Sequence, residues 1–222
     1  METVERQFAA ASEALDSRSL SRLAALALSH HGAVKSWDSV FAPQLRSLGE
    51  RWARTGVAIE REHVTAAVVQ AALTRHAERH RPKGAPITVL AAATQNEQHT
   101  LPLDALAAAL AENGVATLSL GSLPPAALHT AISDTAPAAV VLWARGTASA
   151  DVRTLRGLLR ITPVVCAAGP GWKPRRLPSG ITHLPDLAAA VDTMLDLTMA
   201  SQTSADVEGE RSAARTTKRE HN

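Results

Sequence analysis

The stretch GAPITVLAAATQNEQHTLPLDALAAALAENG, residues 84–114, decides the fold. Its segment ITVLAAA (87–93) is a short unbroken apolar run, the mark of a strand buried on both faces. LPLDALAAALAENG (101–114) is an Ala/Leu-rich helix that stops at a glycine. The same alternation continues toward the C-terminus. VATLSLG (115–121) reads as a strand, PPAALHTAIS (124–133) as a helix, AAVVLWA (138–144) as a strand, DVRTLRGLLR (151–160) as a helix and TPVVCAAG (162–169) as a strand. A short strand at Ile181–Leu184 and a helix from Pro185 to about Met199 complete the pattern. Apolar strands alternating with helices predict an open parallel sheet with helices on both faces.

In the other direction, RPKGAP (81–86) is a punctuated linker, and before it the apolar period is helical. Val4, Phe8, Ala11 and Leu15 are followed by Leu20, Leu23 and Leu26, with a break at Asp16 to Ser19, where a cap is expected. A third helix is predicted from Trp37 to about Arg54, stopped by Thr55-Gly56, and a fourth from about Ile59 to Arg79. Four short-linked helices predict an antiparallel bundle. The expected organisation is a helical bundle over 1–80, an α/β domain over 87–199, and a polar tail over 201–222 expected to be disordered.

At 222 residues and 45% hydrophobic content the chain can bury large cores, yet only 3% is aromatic, so Ala, Leu and Val must fill them. A net charge of +2, with basic residues gathered in the closing RSAARTTKREHN, is no nucleic-acid footprint. The single cysteine, Cys166, sits in the apolar run VVCAAG and reads as a core thiol. No leader and no 18-residue apolar span is visible, so a cytoplasmic protein without a membrane segment is expected. G-x-S-x-G is absent and no nucleophile–base set is identifiable, so no catalytic residue and no enzyme activity are expected.

Ligands of open α/β sheets bind beyond the carboxyl ends of the strands, which directs attention to loops 94–101, 121–124, 144–150 and 169–180. TQNEQHTLP (94–102) lacks the glycine pattern of a dinucleotide site. It offers Glu97 and His99, spaced so that the carboxylate can hold one imidazole nitrogen and leave the other for a metal. A surface histidine without a role is the other reading. One nitrogen does not hold a bare ion, and no further Cys or His stands at metal-site spacing, so any metal ligated here must arrive in a macrocycle. Gly121, Gly146 and GPGW (169–172) permit close backbone approach by a planar guest, or simply form turns. On the fourth helix Glu62 falls on the line Ile59, Ala66, Val69, Leu73, where a carboxylate is costly without a partner; a helix-start role is its alternative. His63 is beside it, and Trp52 ends the preceding helix.

Taken in order, Trp52, Glu62-His63, EQHTLP (97–102), Gly121, VVLWA (140–144) and GPGW resemble the cobalamin-binding sensor region of light-responsive MerR-type transcriptional regulators, over roughly residues 10–199. The resemblance implies a four-helix bundle and a Rossmann-like (flavodoxin-like) domain enclosing a vitamin B12 derivative, commonly adenosylcobalamin. By it, His99 is the lower axial ligand of cobalt and Glu97 holds its other nitrogen. Trp52 packs on the upper adenosyl group, Glu62 bonds its sugar, and His63 is an upper cobalt ligand after photolysis. Gly121, Gly169 and Gly171 line the channel of the nucleotide tail. Two departures stand out: the family has glycine where this chain has Pro102, and commonly serine where it has Ala144.

The regulators open with a DNA-binding domain, and no helix-turn-helix is visible before this bundle. Direct DNA binding by these residues is therefore not expected; a homo-oligomer, a transcription-factor partner, or both, is. Two alternatives share the fold: a corrinoid methyl carrier of a methyltransferase system, which would want an upper face open to its enzymes, and an interaction protein that has lost the cofactor.

Overall fold

The computed structural model describes residues 1–162 and 164–199, so the expectation about 201–222 lies outside the described residues. Four helices come first: α1 (Glu2–Glu13), α2 (Ser17–Ser36), α3 (Ala42–Thr55) and α4 (Ile59–His80). The break between α1 and α2 falls where the sequence placed it, with the Asp16 side chain accepting from Ser19 N at 3.0 Å. Gly56, at φ 71°, ends α3.

The third helix differs from its expected start. No break precedes Trp37; a π-type turn at Trp37–Phe41 runs directly into α3, and the bend lies earlier, at Gly32, with φ 74° and ψ 172°. A residue with a side chain there would be strained in backbone and would meet Glu112 Oε2 at 3.2 Å. The kink removes Ala33 N–H from the helical ladder, and the Glu112 carboxylate takes it at 2.9 Å. Apolar periodicity does not reveal such a bend, because the same face stays buried on both sides of it.

Five strands follow: β1 (Val89–Ala93), β2 (Thr117–Ser122), β3 (Ala139–Trp143), β4 (Val165–Ala168) and β5 (Ile181–Leu184). All pair in parallel, in the order β2-β1-β3-β4-β5. The intervening helices are α5 (Leu101–Glu112), α6 (Pro125–Thr135) and α7 (Val152–Leu158), and α8 covers 187–199. This is the helical part plus Rossmann-like sheet that the sequence predicts. Alternate strand residues serve opposite faces: Val89, Ala91 and Ala93 join one core, Leu90 and Ala92 the other.

The first of these cores does not stop at the sheet. Phe8, Leu20, Val69 and Leu73 of the bundle belong to the same apolar cluster as Leu103 and Leu106 of α5 and Met194 of α8. α5 lies between the bundle and the sheet, which explains its composition: its many alanines are buried nearly all round and let both neighbours approach. Two polar pins fix α4 against α5. Gln70 Nε2 donates to Asp104 Oδ2 at 3.2 Å, and His76 Nε2 lies 2.5 Å from Glu112 Oε1. Both residue numbers rise together, so α4 runs parallel to α5, and its start lies at the carboxyl end of the sheet. Among the described residues no helix is long and apolar enough to cross a membrane.

Candidate functional site

The strand order reverses between β1 and β3, and the crevice beyond their carboxyl ends is where an open α/β sheet receives ligands. Glu97, in the loop after β1, spans that crevice. Its side chain is 5% exposed and its two oxygens divide the work. Oε1 accepts from His99 N at 3.0 Å and His99 Nδ1 at 2.9 Å. Oε2 accepts from Arg145 N at 2.8 Å and Ser149 Oγ at 2.9 Å, both in the loop after β3. Burial pushes the Glu97 carboxyl up, but the hydrogen bonds from His99, Arg145 and Ser149 together outweigh it and hold the pKa down at about 2.

An ionised carboxylate only accepts, so His99 carries its proton on Nδ1 and presents a lone pair at Nε2. Arg145 Nη1 donates to that lone pair. The His99 side chain is 56% exposed, so Nε2 opens toward solvent rather than the core. Metal-binding histidines are set up in this way, with the non-ligating nitrogen fixed by a carboxylate. No cluster of three or more His, Cys, Asp or Glu suited to a metal ion occurs among the described residues. The donor set therefore suits a metal whose other ligands are its own. Trp143 Nε1 and Thr94 Oγ1, at the ends of β3 and β1, are buried without a partner among the described residues, the condition in which polar atoms gain most from a bound group.

Arg145 and Ser149 are the site residues the sequence reading missed. A signal for them existed, since the 144–150 loop lies at the carboxyl end of β3, but nothing in its letters says which residue reaches Glu97.

The bundle supplies the other rim. Trp52 ends α3 with 47% of its surface exposed, an unusual position for a tryptophan. Glu62 keeps 27% of its side chain exposed and lies 3.7 Å from His63 Nε2, which is 73% exposed. Glu62 is thus half-buried at the outer end of the apolar stripe, in the acidic first turn of α4. At 1.5 Å per residue, Glu62 and His63 extend about 11 Å along α4 beyond Gln70, the residue pinned to the start of α5. Both rims consequently occupy the same end of the molecule. Among the described residues no hydrogen bond or ion pair joins Trp52, Glu62 or His63 to His99.

The glycines have a local explanation. At Gly121 (φ 64°) β2 carries one extra residue against β1, a bulge at the strand's carboxyl end. A Cβ on Gly169 would lie 2.5 Å from Ala144 O, and one on Gly171 2.4 Å from Gly146 O, so the loops after β3 and β4 are closed against each other. Trp172 is 3% exposed and donates to Leu142 O at 3.1 Å, which makes it a core residue of the sheet. Ala144 is fully buried, and a serine there would bring a hydroxyl into that core. Pro102 is the second residue of α5, a position whose N–H no helical carbonyl needs.

Residues 4–75 match the family model of a B12 binding domain. A search of curated proteins found no significant match. Among solved structures, the methanol:cobalamin methyltransferase complex MtaBC from Methanosarcina barkeri is 13% identical, covering 86% of this chain and 77% of that one, with a TM-score of 0.44. A novel cobalamin-binding protein from Desulfitobacterium hafniense DCB-2 is 16% identical, covering 86% and 96%, with a TM-score of 0.43. Likenesses this distant carry no argument about function. The B12 binding match covers most of the bundle, the part of the molecule that holds Trp52, Glu62 and His63.

Proposed function

We propose that this protein binds cobalamin between the two rims and works as a sensor rather than an enzyme, with adenosylcobalamin as the form and light as the signal, read out through self-association or a transcription-factor partner. The observation that carries the reading is the tautomer of His99: Glu97 holds Nδ1–H and leaves a lone pair on Nε2, at the crevice where the strand order reverses. The B12 binding match over residues 4–75 supports the cofactor class. On this reading His99 would hold cobalt from below, with Gly121, Gly169 and Gly171 beside the nucleotide tail, and the bound cofactor would supply a light-sensitive cobalt–carbon bond.

The chain's own residues do the rest. Glu97 holds the imidazole plane, and Ser149 and the Arg145 backbone hold Glu97 in turn. Trp52 offers an apolar surface for an upper group, Glu62 an acceptor for its hydroxyls, and His63 an exposed imidazole on the same turn. Because α4 is packed against α5 along its length, a change at Glu62 or His63 is transmitted to the α2–α4–α5 packing.

The test is purification from cells supplied with cobalamin, in darkness, followed by absorption spectra and mass determination before and after illumination, with His99→Ala beside it. Retained corrinoid with a His99-dependent spectrum and a light-dependent change in mass or partner binding is expected. Retained corrinoid without any light response, together with methyl transfer to an acceptor when a methyltransferase is added, would replace the sensor by a methyl carrier. No corrinoid bound in any form would overturn the cofactor itself.

A further inference from the structure

The nitrogen of His99 that faces outward is already engaged. Arg145 opens the loop after β3, and its backbone N–H is fixed by Glu97 Oε2. Its side chain donates from Nη1 to His99 Nε2. A guanidinium is charged at every accessible pH and has no acceptor, so this contact requires the lone pair on the imidazole. Among the described residues Arg145 has no carboxylate within ion-pair distance. Its side chain is instead engaged with the imidazole. One carboxylate, Glu97, therefore positions both the lone pair and the cation that competes for it.

A lone pair can serve a guanidinium or a metal, but not both. We infer that Arg145 is an affinity-setting residue, a built-in competitor that must leave His99 Nε2 before that nitrogen can ligate a metal. The inference rests on the reading of His99 as an axial ligand. It differs from a general electrostatic effect because it acts through one atom, and it differs from a structural role because the backbone N–H of residue 145 that bonds Glu97 is kept in Arg145→Met and Arg145→Lys. A hydrogen bond from a charged donor contributes enough that its removal is worth roughly tenfold in an equilibrium, and often more.

Arg145→Met keeps length and removes the donor, whereas Arg145→Lys keeps a charge that can still reach the nitrogen. Titration with cobinamide, a corrinoid without a base of its own, followed by absorption, is expected to show about tenfold tighter binding for Arg145→Met than for the unaltered protein, with Arg145→Lys in between. In a His99→Ala background the same exchange is expected to change nothing. Without any corrinoid, the 15N shift of His99 Nε2 is expected to move toward the value of a free acceptor in Arg145→Met. An unmoved nitrogen shift overturns the inference whatever the corrinoid does, as does an affinity gain of the same size without His99. A moved shift with no corrinoid bound by any variant overturns instead the assignment of His99 as ligand, and the competitor role with it.

Discussion

Replacing Glu97 by Gln gives the sharpest test of how the site is held together. The carboxylate is buried, accepts four hydrogen bonds, and has its pKa lowered to about 2 from an ordinary value of 4.5. A depressed carboxylate contributes stability that is complete above the unfolded pKa and disappears as pH falls through the folded one. At 1.36 kcal/mol per unit, the contribution is about 3 kcal/mol at pH 7, about 2 kcal/mol at pH 3.5, and close to zero near pH 2. Glutamine has no such titration. It also carries an amide that can donate, so it no longer dictates which nitrogen of His99 bears the proton. Urea unfolding of both proteins at pH 7, 5 and 3.5 measures the difference directly. The expected result is a gap of about 3 kcal/mol at neutral pH that narrows by about a third at pH 3.5. A gap below about 1 kcal/mol at pH 7, or one that widens as pH falls, would refute the reasoning, because the four bonds would then not be stabilising the ionised form.

Three further outcomes follow from particular contacts. Gly171→Ala places a Cβ 2.4 Å from Gly146 O and 2.8 Å from Ala144 O, with backbone on both sides and no side chain to move; a loss above about 2 kcal/mol is expected by thermal unfolding, and wild-type stability would show that the two loops are not closed together. His76→Ala removes a buried partner of Glu112 that joins α4 to α5, and a loss of about 1–3 kcal/mol in urea unfolding is expected, against less than about 1 kcal/mol for Glu13→Gln, whose pairs with Arg51 and Arg61 lie at the surface. Cys166 is fully buried and burial raises its pKa to about 11, so an aromatic disulfide reagent at pH 8 should label it only after unfolding; labelling of the native protein would contradict its place in the core.

The parts of the fold that the sequence made legible are those governed by short-range rules. The strands at 87–93 and 138–144 were readable because an unbroken apolar run has few other uses. The bend at Gly32 escaped because its cause is Glu112, eighty residues away, which receives the freed Ala33 N–H. In the site, Glu97 and His99 were readable as a pair because they stand two positions apart along the chain. Arg145 and Ser149 were not, since their hydrogen bonds to Glu97 cross from one strand end to the next. At Gly169 and Gly171 the sequence alone does not show that backbone of the loop after β3 occupies the space a side chain would need.

By itself the sequence determined the order of helices and strands, the buried faces, and the chemistry of an E-x-H loop, because periodicity and residue type act over a few residues. Tertiary structure decided what that loop can do. Only the pairing of β1 with β3 brings Arg145 and Ser149 to Glu97, and only the packing of α4 on α5 sets Glu62 and His63 at the same end as His99. Glu97, two positions away, decides which nitrogen of His99 holds the proton, but what engages the other nitrogen is decided by Arg145, 46 residues away, through a contact that no local pattern encodes.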